Sequence, residues 1–228
     1  MEIQDMKEKA YKIFVDIETI PGPTPPDLED IQAPANYKDP AKIKAYKESK
    51  IQEAHRTQAF DSMRGEIVAI GFAVEGPGGK LHREPQVLIR DPALFEDEAD
   101  LMEVFEEQIE SYKPATWIGH NVKTFDLQWL WRKAVKYDLV RLAKMIPRER
   151  YSKQAIDTLE LWAGPDYRDK TKLDDIASFL GINGKTPGMD GSQVYDLYQE
   201  KRYQEIADYC RQDVWLTKQV YEVISAMR

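Results

Sequence analysis

The chain has 228 residues, of which 42% are apolar, and a formal net charge of −8. These values fit one folded globular domain, and no apolar stretch approaches the roughly 20 residues of a membrane span. The acidity argues against a protein that coats a long duplex, because phosphate contacts need lysine and arginine. The one cysteine, Cys210, excludes an intramolecular disulfide and a cysteine-rich zinc site. The charged N-terminus has no apolar signal-peptide core, so we expect a cytoplasmic protein without a membrane partner.

The first half of the chain predicts three strands in an antiparallel meander. Lys12–Val15 is short, β-branched and aromatic, which is typical of a buried strand. The acidic motif Asp16–Glu18 is expected at the carboxyl end of this strand or just beyond it. Glu66–Val74 and Pro85–Ile89 are the next two strands, separated by a glycine-rich turn at residues 76–79.

Residues 21–60 stand apart from these strands. Six prolines between positions 21 and 40 exclude a regular helix or a central strand, so we expect a loop there. Asp39-Pro40 then predicts a helix start with proline at the first helical position. The helical stretch that follows has little apolar material and carries lysines at positions 42, 44, 47 and 50. Two hypotheses stay open for it: a solvated surface helix, or a basic flap that guides a nucleic-acid strand.

The second half of the chain predicts helices that alternate with two more strands. The strands are Thr116–Ile118 and Ala155–Leu159. Apolar residues at helical spacing predict helices at Asp97–Tyr112, Asp126–Tyr137, Leu173–Leu180 and about Tyr203–Met227. Residues 188–191 predict a loop, in which Asp190 resembles one half of a helix-capping pair with Gln193. The order of elements, β-β-β-α-β-α-β-α-α, indicates one α/β domain with a mixed sheet.

Four carboxylates fall into three short motifs. Asp16 and Glu18 are two residues apart, so on an extended strand they face the same side and can reach one cation. Asp126 follows a strand and an asparagine-containing loop, and Asp213 lies on the last helix four residues after Tyr209. Two unit charges about 4 Å apart repel by roughly 4 kcal/mol at an effective dielectric constant near 20. A cluster of this kind therefore takes up protons or binds divalent cations. Taken one at a time, Asp126 also suits a helix N-cap and Asp213 an exposed position.

Taken together, the motifs resemble the DEDD (DnaQ-like) superfamily of 3′–5′ exonucleases. They are Asp16-Ile17-Glu18-Thr19, Asn121-x-x-x-Phe125-Asp126 and Tyr209-x-x-x-Asp213. The tyrosine indicates the tyrosine branch, because the position at which the histidine branch carries its histidine is Asp208. Segments 64–70, 172–177 and 188–194 are similar to a stand-alone group related to the proofreading exonuclease domain of family B DNA polymerases. The resemblance runs from Tyr11 to about Val223 and leaves residues 21–60 unexplained.

This resemblance implies a ribonuclease H-like α/β fold, with a central mixed five-stranded sheet flanked by helices. The whole chain, residues 1–228, would form a single exonuclease domain with an insertion at about 21–60. Two divalent cations, Mg²⁺ or Mn²⁺, are implied as cofactors. Asp16, Glu18 and Asp213 would hold one of them, while Asp16 would also touch the second, which Asp126 would hold mainly through water. Tyr209 would orient the attacking water, because an unperturbed tyrosine, with a pKa of about 10, is a poor base at neutral pH.

The resemblance also implies contacts with the 3′-terminal nucleotide. The expected substrate-binding residues are Ile17, Thr19, Ile20, Asn121, Phe125, Ser192 and Gln193. From the residues alone, Asn121 suits a turn equally well and Phe125 suits a core position. Capping and turn roles are an alternative for Ser192 and Gln193.

The function that the resemblance implies is hydrolysis of nucleotides from the 3′ end of single-stranded or frayed DNA. An RNA exonuclease on the same fold is an alternative, because sugar discrimination depends on contacts that the sequence does not reveal. Two other hypotheses are a non-catalytic protein that binds nucleic-acid ends and a subunit that docks on a replication or repair protein through residues 21–60. We expect no polymerase domain, because the chain ends soon after the third motif.

Overall fold

The protein is described from a computed structural model at residues 10–149, 151–166, 168–183 and 189–227. One sheet has the strand order β3-β2-β1-β4-β5. β1 lies in the middle, antiparallel to β2 and parallel to β4; β2 and β3 are antiparallel, and β4 and β5 are parallel. The predicted mixed five-stranded sheet is therefore confirmed. The strands are β1 (Tyr11–Ile20), β2 (Glu66–Glu75), β3 (Leu81–Ile89), β4 (Ala115–Gly119) and β5 (Ala155–Asp157).

Helices flank this sheet and connect its strands. Short 3₁₀ turns lie at Gln58–Phe60 and Gly191–Gln193. In the part of the chain that the structure describes, no helix combines the length and the apolar character needed to cross a membrane. The α-helices are α1 (Pro40–Thr57), α2 (Glu98–Ile109), α3 (Asp126–Lys136), α4 (Val140–Met145), α5 (Thr158–Ala163), α6 (Leu173–Phe179), α7 (Val194–Gln199) and α8 (Tyr203–Ala226).

The two faces of β1 serve different purposes. Ile13, Val15 and Ile17 alternate onto one face and join the main hydrophobic core. Phe14 lies on the other face, where it packs against Val214 of α8. Each fully buried side chain of this size contributes about 1.5–3 kcal/mol to stability, so both faces hold β1 in place. Since side chains alternate along a strand, the two acidic residues of β1 share the face that α8 covers.

The strand that carries the acidic motif is longer than predicted. β1 continues through Asp16 and Glu18 to Ile20, because β2 pairs with it from Lys12 onwards. One bulge interrupts the pairing, between Glu18 and Thr19. The motif therefore lies inside the central strand, in the half towards its carboxyl end, and the strand extends beyond the motif to Ile20, where β2 still holds the backbone.

Two other strand boundaries differ from the prediction by more than one residue. β5 ends at Asp157 because Thr158 begins α5, and the Asp157 carboxylate caps that helix by accepting a hydrogen bond from the Leu159 N–H at 3.0 Å. β3 begins at Leu81, earlier than predicted, and contains Pro85. A proline is tolerated there because β3 is an edge strand, where one row of N–H groups needs no partner in the sheet.

The sequence patterns predict none of α4, α5 and α7, which have six residues each. Of the loop predicted at 188–191, residue 188 lies outside the described residues and Gly191 begins a 3₁₀ turn. The capping pair predicted for that turn is confirmed, because Asp190 and Gln193 each accept a backbone hydrogen bond from the other end of the turn.

The segment 21–60 has the predicted loop followed by a helix. α1 begins at Pro40, and the side chain of Asp39 accepts a backbone hydrogen bond from the first turn. The other end of α1 is anchored to the rest of the protein. His55 is buried, with its Nε2 2.7 Å from the carbonyl oxygen of Gly22. The next residue, Arg56, forms an ion pair with Asp196 of α7.

Candidate active site

Two carboxylates of the candidate site come from the central strand. Asp16 lies opposite Gly71 of β2, and Glu18 lies opposite Ala69. Asp16 is half-buried, Glu18 is 8% exposed, and one side-chain oxygen of Asp16 is shielded from solvent. Two carboxylates held side by side and largely out of water repel each other strongly, so the arrangement favours protons or cations.

Helix α8 approaches the sheet closely at this point because β2 has a glycine opposite Asp16. A Cβ atom on Gly71 would lie 2.7 Å from the Sγ of Cys210 and 2.9 Å from the Cγ2 of Val214. Any larger residue would push α8 away from the sheet. The close approach brings the potential ligand atoms of Asp16, Glu18 and Cys210 within 4.8 Å of one another.

The thiol of Cys210 is a neighbour of the carboxylates that the sequence did not indicate. Burial raises its pKa well above the usual value, and the charges of Asp16, Glu18 and Asp213 raise it further. The neutral thiol donates a hydrogen bond to the backbone carbonyl of Asp16, with an Sγ–O distance of 3.6 Å. Since a thiolate is the form that binds metal, the carboxylate oxygens are the better cation ligands in this cluster.

Asp126 contacts β1 through the backbone of Ile17, the residue between Asp16 and Glu18. It is the first residue of α3, and its Oδ1 accepts a hydrogen bond from the backbone N–H of Ile17 at 3.0 Å. This N–H is available because β4 pairs with β1 only as far as Phe14 and Ile118. The helix N-cap is Phe125, so the N-cap alternative for Asp126 was wrong.

Burial has a large effect on Asp126. It raises the pKa of this carboxyl to about 8, although hydrogen bonds from its own N–H and that of Ile17 act in the opposite direction. The charges of Asp157 and Asp213 raise the pKa further. Asp213 is itself buried on α8, one turn after Cys210, and has one side-chain oxygen shielded from solvent. Its charge acts on both Asp126 and Cys210, which ties the three motifs to one electrostatic cluster.

Asp157 holds the loop that leads to Asp126, and the sequence patterns missed it. Its Oδ1 accepts a hydrogen bond from the N–H of Asn121 at 2.8 Å, and its Oδ2 accepts one from the N–H of Lys123 at 3.2 Å. The carboxyl is buried, which raises its pKa, while these backbone hydrogen bonds lower it. The one available signal was a carboxylate at the end of the fifth strand, beside a helix start.

Tyr209 and Asn121 line a common cleft of about 380 Å³ beside α8. Its walls include Lys172 and Asp190, from two of the segments that carry the family resemblance. Asn121 has a φ of 59°, and its Oδ1 accepts a hydrogen bond from the hydroxyl of Thr124 at 2.6 Å. Asn121 therefore stabilises its own loop, and it also lines the cleft.

The other predicted substrate-binding residues near β1 are mostly buried. Ile17 and Ile20 are 5% and 4% exposed and belong to hydrophobic clusters. Thr19 is half-buried, and its hydroxyl donates a hydrogen bond to the carbonyl of Ala59 at 2.6 Å. Phe125 packs against the core, with its ring centroid 5.7 Å from that of Trp129. Contact of these four side chains with a nucleotide stays a prediction.

Ser192 and Gln193 are exposed in the 3₁₀ turn before α7. The N–H of Ser192 donates to Asp190 at 2.8 Å, and Gln193 accepts from the N–H of Asp190 at 3.1 Å. Gln193 thus has the capping role, and Ser192 the turn role, that the sequence offered as alternatives, while contact of either residue with a nucleotide stays a prediction. Gly191 of this turn lines the cleft that contains Tyr209, so the turn lies beside the candidate site.

The side chains present fit divalent cations. The cluster offers carboxylate oxygens from Asp16, Glu18, Asp126 and Asp213, and hard oxygen donors suit Mg²⁺ and Mn²⁺ better than Zn²⁺. Asp16 and Asp213 each have one side-chain oxygen that is shielded from solvent. Water therefore does not fully solvate the negative charge of these carboxylates. A cation between them would offset the repulsion that otherwise raises the carboxyl pKa values.

A family model described as "predicted 3′-5′ exonuclease related to the exonuclease domain of PolB" matches residues 66–228. The chain belongs to this family. The match includes Asp126, Tyr209 and Asp213, whereas Asp16 and Glu18 precede it. In the structure the strand that carries these two residues lies against the matched part, between β2 and β4.

A structural neighbour of this exonuclease-family chain is the family B DNA polymerase from the hyperthermophilic archaeon Pyrobaculum calidifontis. The TM-score is 0.55 at 15% sequence identity, over 94% of this chain and 24% of the polymerase chain. The chain thus spans about a quarter of the polymerase, and at this identity the likeness supports the fold alone. The ribonuclease H-like fold implied by the motifs is confirmed. A search of curated proteins finds no match.

Proposed function

We propose that the protein is a metal-dependent 3′–5′ exonuclease that removes nucleotides from single-stranded or frayed DNA ends. Family membership supports the 3′–5′ exonuclease class. The observation that carries the metal-dependent reaction is the gathering of carboxylates from three distant parts of the chain around β1. Asp16 and Glu18 lie on the strand, Asp126 is bonded to its edge, and Asp213 comes from α8.

The charge of the protein supports a role for cations. A chain with a net charge of −8 and a buried carboxylate cluster repels the phosphates of a nucleic acid. We propose that Asp16, Glu18 and Asp213 hold one divalent cation and that Asp126, with Asp16, holds a second. Bound cations supply the positive charge that stabilises a phosphoryl group during in-line displacement.

The reaction is the hydrolysis of the last phosphodiester. Water attacks the phosphorus, the bond to the 3′ oxygen of the preceding nucleotide breaks, and that oxygen takes up a proton. The products are a nucleoside 5′-monophosphate and a strand shortened by one residue with a free 3′-hydroxyl. We place the terminal nucleotide in the cleft beside α8, whose walls include Tyr209 and Asn121 but none of the four carboxylates. Its volume of about 380 Å³ lies within the range of ligand pockets.

Tyr209 is the proposed positioning group for the attacking water. It lies on the same helix as Asp213, four residues earlier, so both side chains face the same side of α8. It also lines the cleft, together with Asn121. A hydroxyl in this position can donate a hydrogen bond to the water or accept one from it, and it stays neutral in both cases.

The test uses 5′-labelled single-stranded DNA and RNA oligonucleotides, with Mg²⁺, Mn²⁺ or excess chelator. We expect a ladder that shortens from the 3′ end of DNA in the presence of either cation. Chelator should remove it, and added Mn²⁺ should restore it. Undiminished cleavage in chelator would contradict metal dependence. A ladder on RNA alone would support the 3′–5′ exonuclease reaction and identify RNA, in place of DNA, as the substrate.

A further inference from the structure

A second polar cleft lies along α3, outside the carboxylate cluster. Its volume is about 490 Å³, and its wall runs from the loop before α3 to the loop after α4. Two arginines, Arg132 and Arg148, line it together with Gln128. Arg132 lies six residues after Asp126, which is about 9 Å along the axis of the same helix.

Neutral groups hold both guanidinium groups in place. The Nη1 of Arg132 donates a hydrogen bond to the hydroxyl of Ser62 at 2.7 Å. The Nη1 of Arg148 donates to the Oε1 of Gln128 at 2.9 Å, and its guanidinium lies 4.0 Å from the centre of the Trp131 ring. Neither arginine forms an ion pair with any residue that the structure describes.

The two positive charges are close enough to oppose each other. Arg148 is exposed, but partial desolvation of its guanidinium lowers its pKa, and the charge of Arg132 lowers it further. Other charges in the cleft are the ion pair of Lys123 with Glu160, and Glu149, which is exposed. In a protein with 40 acidic and 32 basic residues, these two neighbouring arginines have no acidic partner among the residues that the structure describes.

We propose that Arg132 and Arg148 bind a phosphate group of the nucleic-acid strand upstream of the bond that is cleaved. The proposal rests on the exonuclease function. A guanidinium presents several N–H donors in a planar fork that matches phosphate oxygens, and each arginine has one Nη group used by its neutral partner. The position of Arg132 along α3 suits a phosphate a few nucleotides from the carboxylate cluster.

The test is the binding of 5′-fluorescein-labelled oligothymidylate in chelator, measured by anisotropy over a range of salt concentrations. The double variant Arg132→Gln/Arg148→Gln should bind about tenfold more weakly or worse, because hydrogen bonds to charged groups are lost. The slope of log affinity against log salt should fall by about 0.7, the value for one phosphate contact on a single strand.

The matched control is Lys80→Gln/Lys113→Gln, which removes the same charge from exposed positions. Lys80 lies in the β2–β3 turn and Lys113 just before β4, both at the end of the sheet where β1 begins. This control should retain the affinity and the salt slope of the parent. If the double variant unfolds, Arg148→Gln alone is measured in its place. Arg148 is exposed, so we expect this substitution to leave the fold intact.

Each outcome decides the proposal. Equal affinity and equal slope for the arginine variant and the parent would overturn it. A melting-temperature increase by inorganic phosphate that needs the arginines, with unchanged oligonucleotide binding, would assign the cleft to free phosphate and overturn the strand assignment. If the parent protein binds the oligonucleotide through the arginines but produces no cleavage ladder, the exonuclease function itself is refuted. A parent that leaves a ladder while the arginines do not matter would refute only this inference.

Discussion

The backbone N–H of Ile17 donates a hydrogen bond to the Oδ1 of Asp126 at 3.0 Å, and the two residues are 109 positions apart in the chain. This contact joins the central strand to the start of α3. It fixes Asp126 at the edge of β1, beside Ile17, which lies between Asp16 and Glu18 in the sequence. This hydrogen bond needs an acceptor oxygen on residue 126 and does not need a negative charge. A substitution that keeps the oxygen can therefore test the charge of Asp126 apart from its structural role.

That separation leads to a prediction for Asp126→Asn in chelator. Asparagine retains an oxygen that accepts the N–H of Ile17 and removes the ionisable carboxyl. With its pKa raised to about 8, the folded parent keeps this carboxyl protonated between about pH 4 and pH 8, where the unfolded chain releases the proton. Folding then binds a proton, so the parent loses stability as the pH rises through this window.

We therefore expect the metal-free variant to gain stability relative to the parent from pH 5 to pH 8. One unit of pKa shift is about 1.4 kcal/mol, so the gain at pH 8 should exceed about 1 kcal/mol. Thermal unfolding at a series of pH values measures it. A constant difference in stability across the series would contradict the raised pKa.

Asp16→Ala should abolish turnover while the fold survives. Removing a group next to a metal ligand already costs roughly 10–100-fold, so loss of a ligand should cost more than about 100-fold. In chelator the variant should be at least as stable as the parent, because one of several mutually repelling carboxylates is gone. Glu84→Ala, an exposed carboxylate on edge strand β3, is the control. Parent-like turnover in a variant that melts normally would remove Asp16 from the proposed metal ligands.

Tyr209→Phe should slow the reaction without eliminating it. The ring and its packing remain, and one positioning hydrogen bond is lost, which typically costs on the order of tenfold to a thousandfold in rate. Calorimetric titration should give Mn²⁺ binding close to that of the parent. Tyr203→Phe is the matched control, because it removes a hydroxyl from the same helix at a ring that packs on Tyr198. If both variants turn over like the parent, the hydroxyl of Tyr209 has no part in the reaction.

The lysines of α1 test whether segment 21–60 guides the strand. Lys44 and Lys50 already pair with Glu48 and Glu53 on the same exposed helix. We therefore expect that changing the lysines at 42, 44, 47 and 50 to glutamine leaves the salt dependence of oligonucleotide binding unchanged. A guiding helix would instead lose a slope of about 0.7 for each phosphate contact. Comparison with the arginine variant under the same conditions shows which surface contacts the strand.

The sequence by itself determined the elements that depend on local chemistry. Runs of β-branched and apolar residues located all five strands, and helical apolar patterns located α2, α3, α6 and α8. Capping residues fixed two starts, at Asp39 for α1 and at Asp190 for the turn before α7. The spacing of Asp16 and Glu18 predicted their common face, because side-chain direction in a strand depends only on position. Helices of six residues were missed, since a pattern over so few positions is too short to recognise.

Only the tertiary structure decided which residues meet. The place of Cys210 in the cluster follows from the close approach of α8 over Gly71, a contact between segments that no local pattern specifies. Asp157 holds a loop 36 residues earlier, and its importance depends on burial beside that loop. Burial likewise places Ile17 and Ile20 in hydrophobic clusters, which no motif in the sequence specifies. Local propensity fixes where a strand or helix forms, whereas packing between distant segments fixes the surroundings of each side chain, and those surroundings set its charge and its partners.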